Sequence, residues 1–181
     1  MNRLTLRVAI GLLGLLTHAV WAASGEVEVV LIDMLDEPRG FCIDILGFKQ
    51  KAQPERGLQT HSCYSYQGEI AVDQAFEAAR LKTGEFHMSA WNVCMTVPAP
   101  RAGVKLALQS CDGRPEQRFD FTPTGEIVSK ANSQLCVTVG SGASIPGGGG
   151  KPVHLIRSLS VETCAPARAM YQKWRVREKA D

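Results

Sequence analysis

The feature that most constrains this chain is a threefold internal repeat. Cys42-Ile43-Asp44-Ile45 returns as Cys94-Met95-Thr96-Val97 and again as Cys136-Val137-Thr138-Val139. Each copy is followed by a second cysteine (Cys63, Cys111, Cys164) and then by a Gln-x-aromatic triplet. The triplets are Gln74-Ala75-Phe76, Gln117-Arg118-Phe119 and Gln172-Lys173-Trp174. A Thr-Gly-Glu turn also recurs, at Thr83-Gly84-Glu85 and Thr124-Gly125-Glu126, each time leading into an apolar residue and the next cysteine. Features that recur in one order decide a fold before local propensity does.

All six cysteines fall inside the repeats. Six could pair in 15 ways, and the repeat selects one: Cys42–Cys63, Cys94–Cys111 and Cys136–Cys164. Such bridges fit an oxidising compartment and should each contribute roughly 3 kcal/mol by restricting the unfolded chain. A zinc site is the rival reading, but the chain has no Cys-x-x-Cys or His-x-x-x-His spacing to build a tetrahedron. No metal or other cofactor is expected.

Arg3 and Arg7, the apolar run Val8 to Leu16 and the small-residue site Val20-Trp21-Ala22 form a secretory signal over residues 1–22, too short for a stable membrane span. Its removal leaves residues 23–181 as one domain of 181 − 22 = 159 residues and takes the formal charge from +2 to 0. A neutral product gives no electrostatic reason to bind nucleic acid or an anionic membrane. The product is expected to be secreted or periplasmic.

Gly25 to Ile32 alternates and then runs apolar, as a first strand does. The repeats are short β-branched or aromatic segments cut by Gly, Pro, Ser and Asp, which predicts an all-β chain. Ala75 to Lys82 contains good helix formers, but register with the second repeat favours a strand or irregular turn. Gly140 to Lys151 reads as a flexible insertion with Gly147-Gly148-Gly149-Gly150 at its tip. It is no phosphate loop, because Ile145 and Pro152 stand where glycine and a hydroxyl residue are needed. Lys173 to Arg177 alternates charge with apolar groups and reads as a last strand with one solvated face.

From about Phe41 to Val176 the chain resembles the ricin-type β-trefoil lectins. The resemblance implies a β-trefoil of three repeats, with Phe76, Phe119 and Trp174 packed in a shared core and each triplet glutamine tying down backbone. It also implies a sugar site built on an aspartate two residues after the first cysteine. A carboxylate suits this because it accepts several hydroxyl donors at once. In the first repeat the matching residues are Asp44, Gln59, His61, Asp73 and Gln74. His61 stands for a larger aromatic and Asp73 for an amide, with Tyr64 or Tyr66 as substitute platforms. Thr96 with Ala107 and Gln109, and Thr138 with Ser160 and Glu162, depart from the pattern. One weak site, in the first repeat, for a galactose-type or other sugar is therefore expected, with two degenerate lobes.

No catalytic constellation emerges. Asp33, Asp36, Glu37 and Asp44 are not paired by any spacing, whereas a glycosidase needs two carboxylates about 5 to 9 Å apart. His61, His87 and His154 read as isolated, and the cysteines are committed to bridges. The alternative to a lectin is a binding subunit of a secreted bacterial toxin, similar to the ricin-like subunits of cytolethal distending toxins, acting through protein partners and host glycans.

Overall fold

The computed structural model describes residues 25–178, so the signal segment lies outside the described residues. The strands are β1 (Glu26–Leu31), β2 (Phe41–Ile45), β3 (Leu58–Ser62), β4 (Phe76–Glu77), β5 (His87–Met88), β6 (Val93–Thr96) and β7 (Val104–Lys105). They continue as β8 (Ala107–Ser110), β9 (Phe119–Phe121), β10 (Ile127–Ser129), β11 (Leu135–Val139), β12 (Ile145–Pro146), β13 (Leu155–Thr163) and β14 (Trp174–Arg177). An 11-stranded, strongly curled sheet runs β14-β1-β2-β3-β13-β11-β10-β9 with β4, β7 and β12 as side branches, and β5-β6-β8 form a 3-stranded sheet. Every strand pairing among the described residues is antiparallel.

The cysteine segments become β2, β6 and β11, one per lobe. Because side chains alternate along a strand, Ile43, Met95 and Val137 enter the core while Asp44, Thr96 and Thr138 lie on the opposite face with the cysteines. The core residues are fully buried. Disulfides link Cys42–Cys63, Cys94–Cys111 and Cys136–Cys164, across 21, 17 and 28 residues. These are the pairs the repeat selects.

The triplet aromatics Phe76, Phe119 and Trp174 are at most 1% exposed. Phe86 packs edge-on between Phe76 and Phe119, with ring centroids 5.8 and 5.4 Å apart, an arrangement aromatic quadrupoles favour. The Thr-Gly-Glu turns dock onto the following triplets: the Gly84 carbonyl accepts the Phe119 amide at 2.9 Å, and the Gly125 carbonyl accepts the Trp174 amide at 2.7 Å. The repeated turn therefore locks one lobe to the next.

Two local expectations need correcting. Ala75 to Lys82 is not strand or irregular turn throughout: after β4 it makes one helical turn, α1 (Ala78–Leu81). Phe76 must pair with Val27, and Gly84 must reach Phe119, so the helix formers have room for one turn only. The Gly140 to Lys151 insertion also has structure, since Ile145 and Pro146 pair with Ile156 and Leu155 of β13.

Candidate functional site

The same hydrogen-bond unit is built in all three lobes around the triplet glutamine. Each glutamine ends a short helical turn: Val72–Gln74, Pro115–Gln117, and α2 (Ala169–Gln172). Its side-chain carbonyl accepts the amide just after the second cysteine, from Tyr64 at 3.0 Å, Asp112 at 2.9 Å and Ala165 at 3.0 Å. Its amide group donates to the carbonyl just before that cysteine, on Ser62 at 3.1 Å, Ser110 at 2.9 Å and Thr163 at 3.1 Å. The same group donates to the residue two past the first cysteine: Asp44 at 3.0 Å, Thr96 at 3.2 Å and Thr138 at 2.9 Å. Asp44 is thus the first-lobe member of a structural set, which also explains why the other lobes can use threonine. A threonine hydroxyl accepts from the glutamine while donating to its own strand, to Cys94 at 3.0 Å or Cys136 at 2.8 Å.

In the first lobe the structure brings Asp44, Gln59, Asp73 and Gln74 together and then closes over them. Gln59 donates to the second Asp44 oxygen at 3.0 Å, so both carboxylate oxygens are engaged by amides. Asp44 is 1% exposed, Asp73 and Gln74 are fully covered, and only Gln59 is half-buried. Burial pushes the Asp44 carboxyl well above the usual carboxylate range, and the Asp73 charge adds to this against the two glutamine amides. Asp73 is raised too, by burial, although it accepts the Lys49 amide.

His61 does not stand open as a platform. Its ring is 3% exposed and lies among Tyr64 and His154, with centroids 5.0 and 5.1 Å away. Tyr64 is buried, and of the substitute platforms only Tyr66 is exposed. Nor are the histidines isolated: His61 and His154 share one cluster, and His87 bonds Glu77 at 2.8 Å.

The third lobe is different. Thr138, Ser158, Ser160, Glu162, Arg168 and Tyr171 line an open cleft of about 360 Å³ against Gly140 and Ser141. Ser160 and Glu162 lie on the outer face of β13, opposite Thr138 and Cys136. The Ser160 hydroxyl donates to Glu162 at 2.9 Å, and the Glu162 carboxylate lies 3.5 Å from the exposed Arg168. Tyr171 is held by α2, whose next residue is the anchored Gln172. Tyr171 and Arg168 escape sequence reasoning based on the aspartate position; the tyrosine immediately before the triplet glutamine is the signal that would find them. In the second lobe Arg114 bonds Gln109, and the surface over Leu108 to Asp112 is shallow.

The acids considered for hydrolysis are otherwise engaged. Asp33 accepts the Leu35 amide, Asp36 pairs with Arg157 at 2.9 Å and Glu37 with Arg39 at 2.6 Å. No helix among the described residues is long and apolar enough to cross a membrane.

The lobes, bridges and glutamine units define a β-trefoil of the lectin class. A family model, the ricin-type beta-trefoil lectin domain, matches residues 33–147 and 82–181. The chain belongs to the ricin-type β-trefoil lectin family, whose domains are non-catalytic carbohydrate-binding modules. Among solved structures, it is similar to the agglutinin from Abrus precatorius (15% identity, 89% of this chain and 52% of that one, TM-score 0.59). It is also similar to the C-half of an earthworm R-type lectin in complex with GalNAc (13% identity, 85% and 99% coverage, TM-score 0.58). A third is the β-trefoil lectin of the Vibrio vulnificus hemolysin/cytolysin with N-acetyl-D-lactosamine bound (15% identity, 87% and 97% coverage, TM-score 0.54). A comparison with curated proteins found no match.

Proposed function

We propose that the chain is an exported glycan-binding protein that engages a galactose-type sugar in its third lobe. The observation carrying this reading is the open cleft walled by Tyr171 and Glu162. A sugar ring needs an apolar platform for its C–H face and acceptors for its hydroxyls. Tyr171 supplies the first and Glu162 the second, because the Thr138 hydroxyl is already engaged by Gln172 and Cys136. The sugar class draws support from family membership and from the GalNAc and N-acetyl-D-lactosamine bound to similar trefoils. Export draws support from the leader-like segment and the three bridges. The first-lobe set of Asp44, Gln59, His61, Asp73 and Gln74 enters as a latent site, reachable once Tyr64 and the segment over His61 move aside.

A glycan screen on the oxidised protein, followed by titration, tests this. Tyr171→Ala should weaken binding about tenfold or more, corresponding to about 1.4 kcal/mol or more of lost stacking and burial. A screen without a binder, or binding indifferent to Tyr171→Ala, overturns the third-lobe assignment.

A second reading, as a toxin-complex subunit, is favoured by a groove that displays Ile32 (50% exposed), Met34 (60%) and Tyr66 (47%) beside Arg39, Arg175 and Arg177. Part of a mosquitocidal holotoxin is similar in fold (8% identity, 87% of this chain and 18% of that one, TM-score 0.54). Isolation of a stable heteromer from the native source supports this reading; a lone chain retained on a sugar matrix removes it.

A further inference from the structure

The glycine-rich segment between β12 and β13 is built against the first lobe. Arg39 donates from its two terminal nitrogens to the carbonyls of Pro152 at 2.8 Å and Val153 at 2.9 Å. Arg39 is in turn held by Glu37, which also bonds the Ser62 hydroxyl. Ser62 accepts the Leu155 amide at 2.8 Å. Within the segment, the Gly147 amide donates to the His154 carbonyl at 2.6 Å and the His154 amide to Gly149 at 3.1 Å. Two glycines are required by close approach. A Cβ on Gly147 would sit 2.9 Å from His61 Nε2, and one on Gly150 2.6 Å from the His154 ring, with Gly150 also at a positive φ of 77°.

His154 closes the segment down. It is 3% exposed and packs edge-on to His61 and Tyr64, both at 5.1 Å. Its Nε2 is 2.8 Å from the Tyr66 hydroxyl, whose oxygen already accepts from Gln67 at 3.0 Å. His154 Nδ1 is buried without a hydrogen-bond partner among the described residues, so the neutral ring fits with its proton on Nε2, donated to the Tyr66 oxygen, which can accept from both His154 and Gln67. His61 Nδ1 lies 3.0 Å from the Ser62 carbonyl and must carry a proton there, which leaves its Nε2 bare against Gly147. Both rings thus fit as neutral imidazoles.

We propose that residues 147–154 form an acid-released strap over the first lobe, fastened by the uncharged His61–His154 pair and the Arg39 clamp, whose release uncovers the His61–Tyr64 face. The inference rests on the fold; only its use, exposing the latent first-lobe site, rests on the glycan-binding reading.

The charged and titratable surroundings set the sign. His154 is faced by Arg39 and Glu37 from the β1–β2 connection, His61 from β3, and Tyr64 and Tyr66 beyond it. Lys151 lies on the strap, and Lys49 lies 6.0 Å over the Tyr64 ring. Asp44 and Asp73 act on Tyr64 from below. Burial lowers His61 to about 4, with His154 and Arg39 adding to this against the Ser62 carbonyl. Burial lowers His154 as well, with Arg39 adding to it against the Gly148 carbonyl and Glu37. Imidazoles with depressed proton affinity stabilise the closed form fully above their ordinary pKa of about 6.5. That contribution is lost as pH falls, through about 4 for His61. Asp44 and Asp73 are shifted upward, so acid relieves their burial and leaves β2 in place. Burial acts upward on Glu37 as well, but Arg39 and Ser62 outweigh it, so Glu37 stays ionised below the ordinary carboxylate range and keeps Arg39 in position.

Hydrogen exchange by mass spectrometry on the oxidised, sugar-free protein tests the strap without reference to any ligand. After correction for intrinsic rates, residues 147–155 should lose at least about tenfold of their protection between pH 7.4 and 4.5, while residues 41–45 keep theirs. The double variant His61→Phe with His154→Phe keeps two rings but cannot be protonated, and should abolish the loss. Gly147→Ala should release the strap at pH 7.4 with residues 41–45 still protected, giving a second readout should the double variant not fold. Equal protection at both pH values, a pH response that survives in the double variant, or a strap still protected in Gly147→Ala overturns the proposal.

Discussion

The first and third lobes share one plan and differ in what stands over it. Both anchor a triplet glutamine between the backbone around the second cysteine and the residue two past the first. In the first lobe that residue is a carboxylate, and Tyr64, His61 and His154 fill the space beside it. In the third it is a threonine, and the space beside it remains a cleft. The lobe with the better match to a sugar-binding motif is therefore the closed one. A motif residue that also serves the scaffold can keep its position whether or not its pocket stays open, so matching it does not establish access.

The sharpest way to break this comparison is to empty the first lobe. Tyr64→Ala removes a buried ring packed against His61 and His154 and should cost about 3–5 kcal/mol of stability, as other buried aromatic truncations do. Chemical denaturation measures it. Third-lobe glycan affinity should not change under conditions where the variant is folded; a parallel loss of affinity would place the sugar in the first lobe after all.

Asp44→Ala separates scaffold from ligand more finely. It leaves Gln59 without its carboxylate partner, while Gln74 keeps its bond to the Ser62 carbonyl. The expected cost at neutral pH is about 1–3 kcal/mol. Linkage reduces the net effect there, because the raised Asp44 stabilises the fold most below its ordinary carboxylate range and loses that contribution as pH rises through its shifted value. The variant's deficit should therefore grow in acid, measurable as denaturation midpoints at several pH values. A deficit that shrinks in acid would contradict the carboxyl's buried state, and a loss of neutral-pH glycan binding would contradict the third-lobe assignment.

The architecture is legible in the sequence because it is carried by local, repeated chemistry. Cysteine pairs, Gln-x-aromatic triplets and Thr-Gly-Glu turns each act over one lobe or its immediate neighbour, and the bridges, buried aromatics and turn-to-triplet bonds follow from them. Access is not legible in the same way. Gly147 to Gly150 look like a loop tip until folding sets them against His61 and His154, and those contacts join the first lobe to the third. Glu162 and Tyr171 are ordinary residues in sequence. Only the register of β11 with β13, and α2 beside it, turns both toward one cleft. The helix formers of Ala78–Leu81 likewise yield to a long-range demand, the meeting of Gly84 with Phe119.

The smallest expected effect tests the third lobe by its charge. Glu162→Gln preserves shape and lets the side-chain carbonyl still accept from Ser160, but removes the charge facing Arg168. That ion pair is largely exposed, with Arg168 at 50%, so stability should change by less than about 0.5 kcal/mol. A carboxylate takes several hydroxyl donors without offering one of its own, whereas a glutamine presents one oxygen and a donor group. Glycan binding should therefore weaken by about 1 kcal/mol, roughly fivefold, at unchanged stability. Calorimetric titration beside a melting curve separates the two. If Glu162→Gln binds as tightly as the parent while Tyr171→Ala does not, the tyrosine platform stands and the acceptor role passes from Glu162 to Ser158 or Ser160, whose alanine variants would then carry the loss.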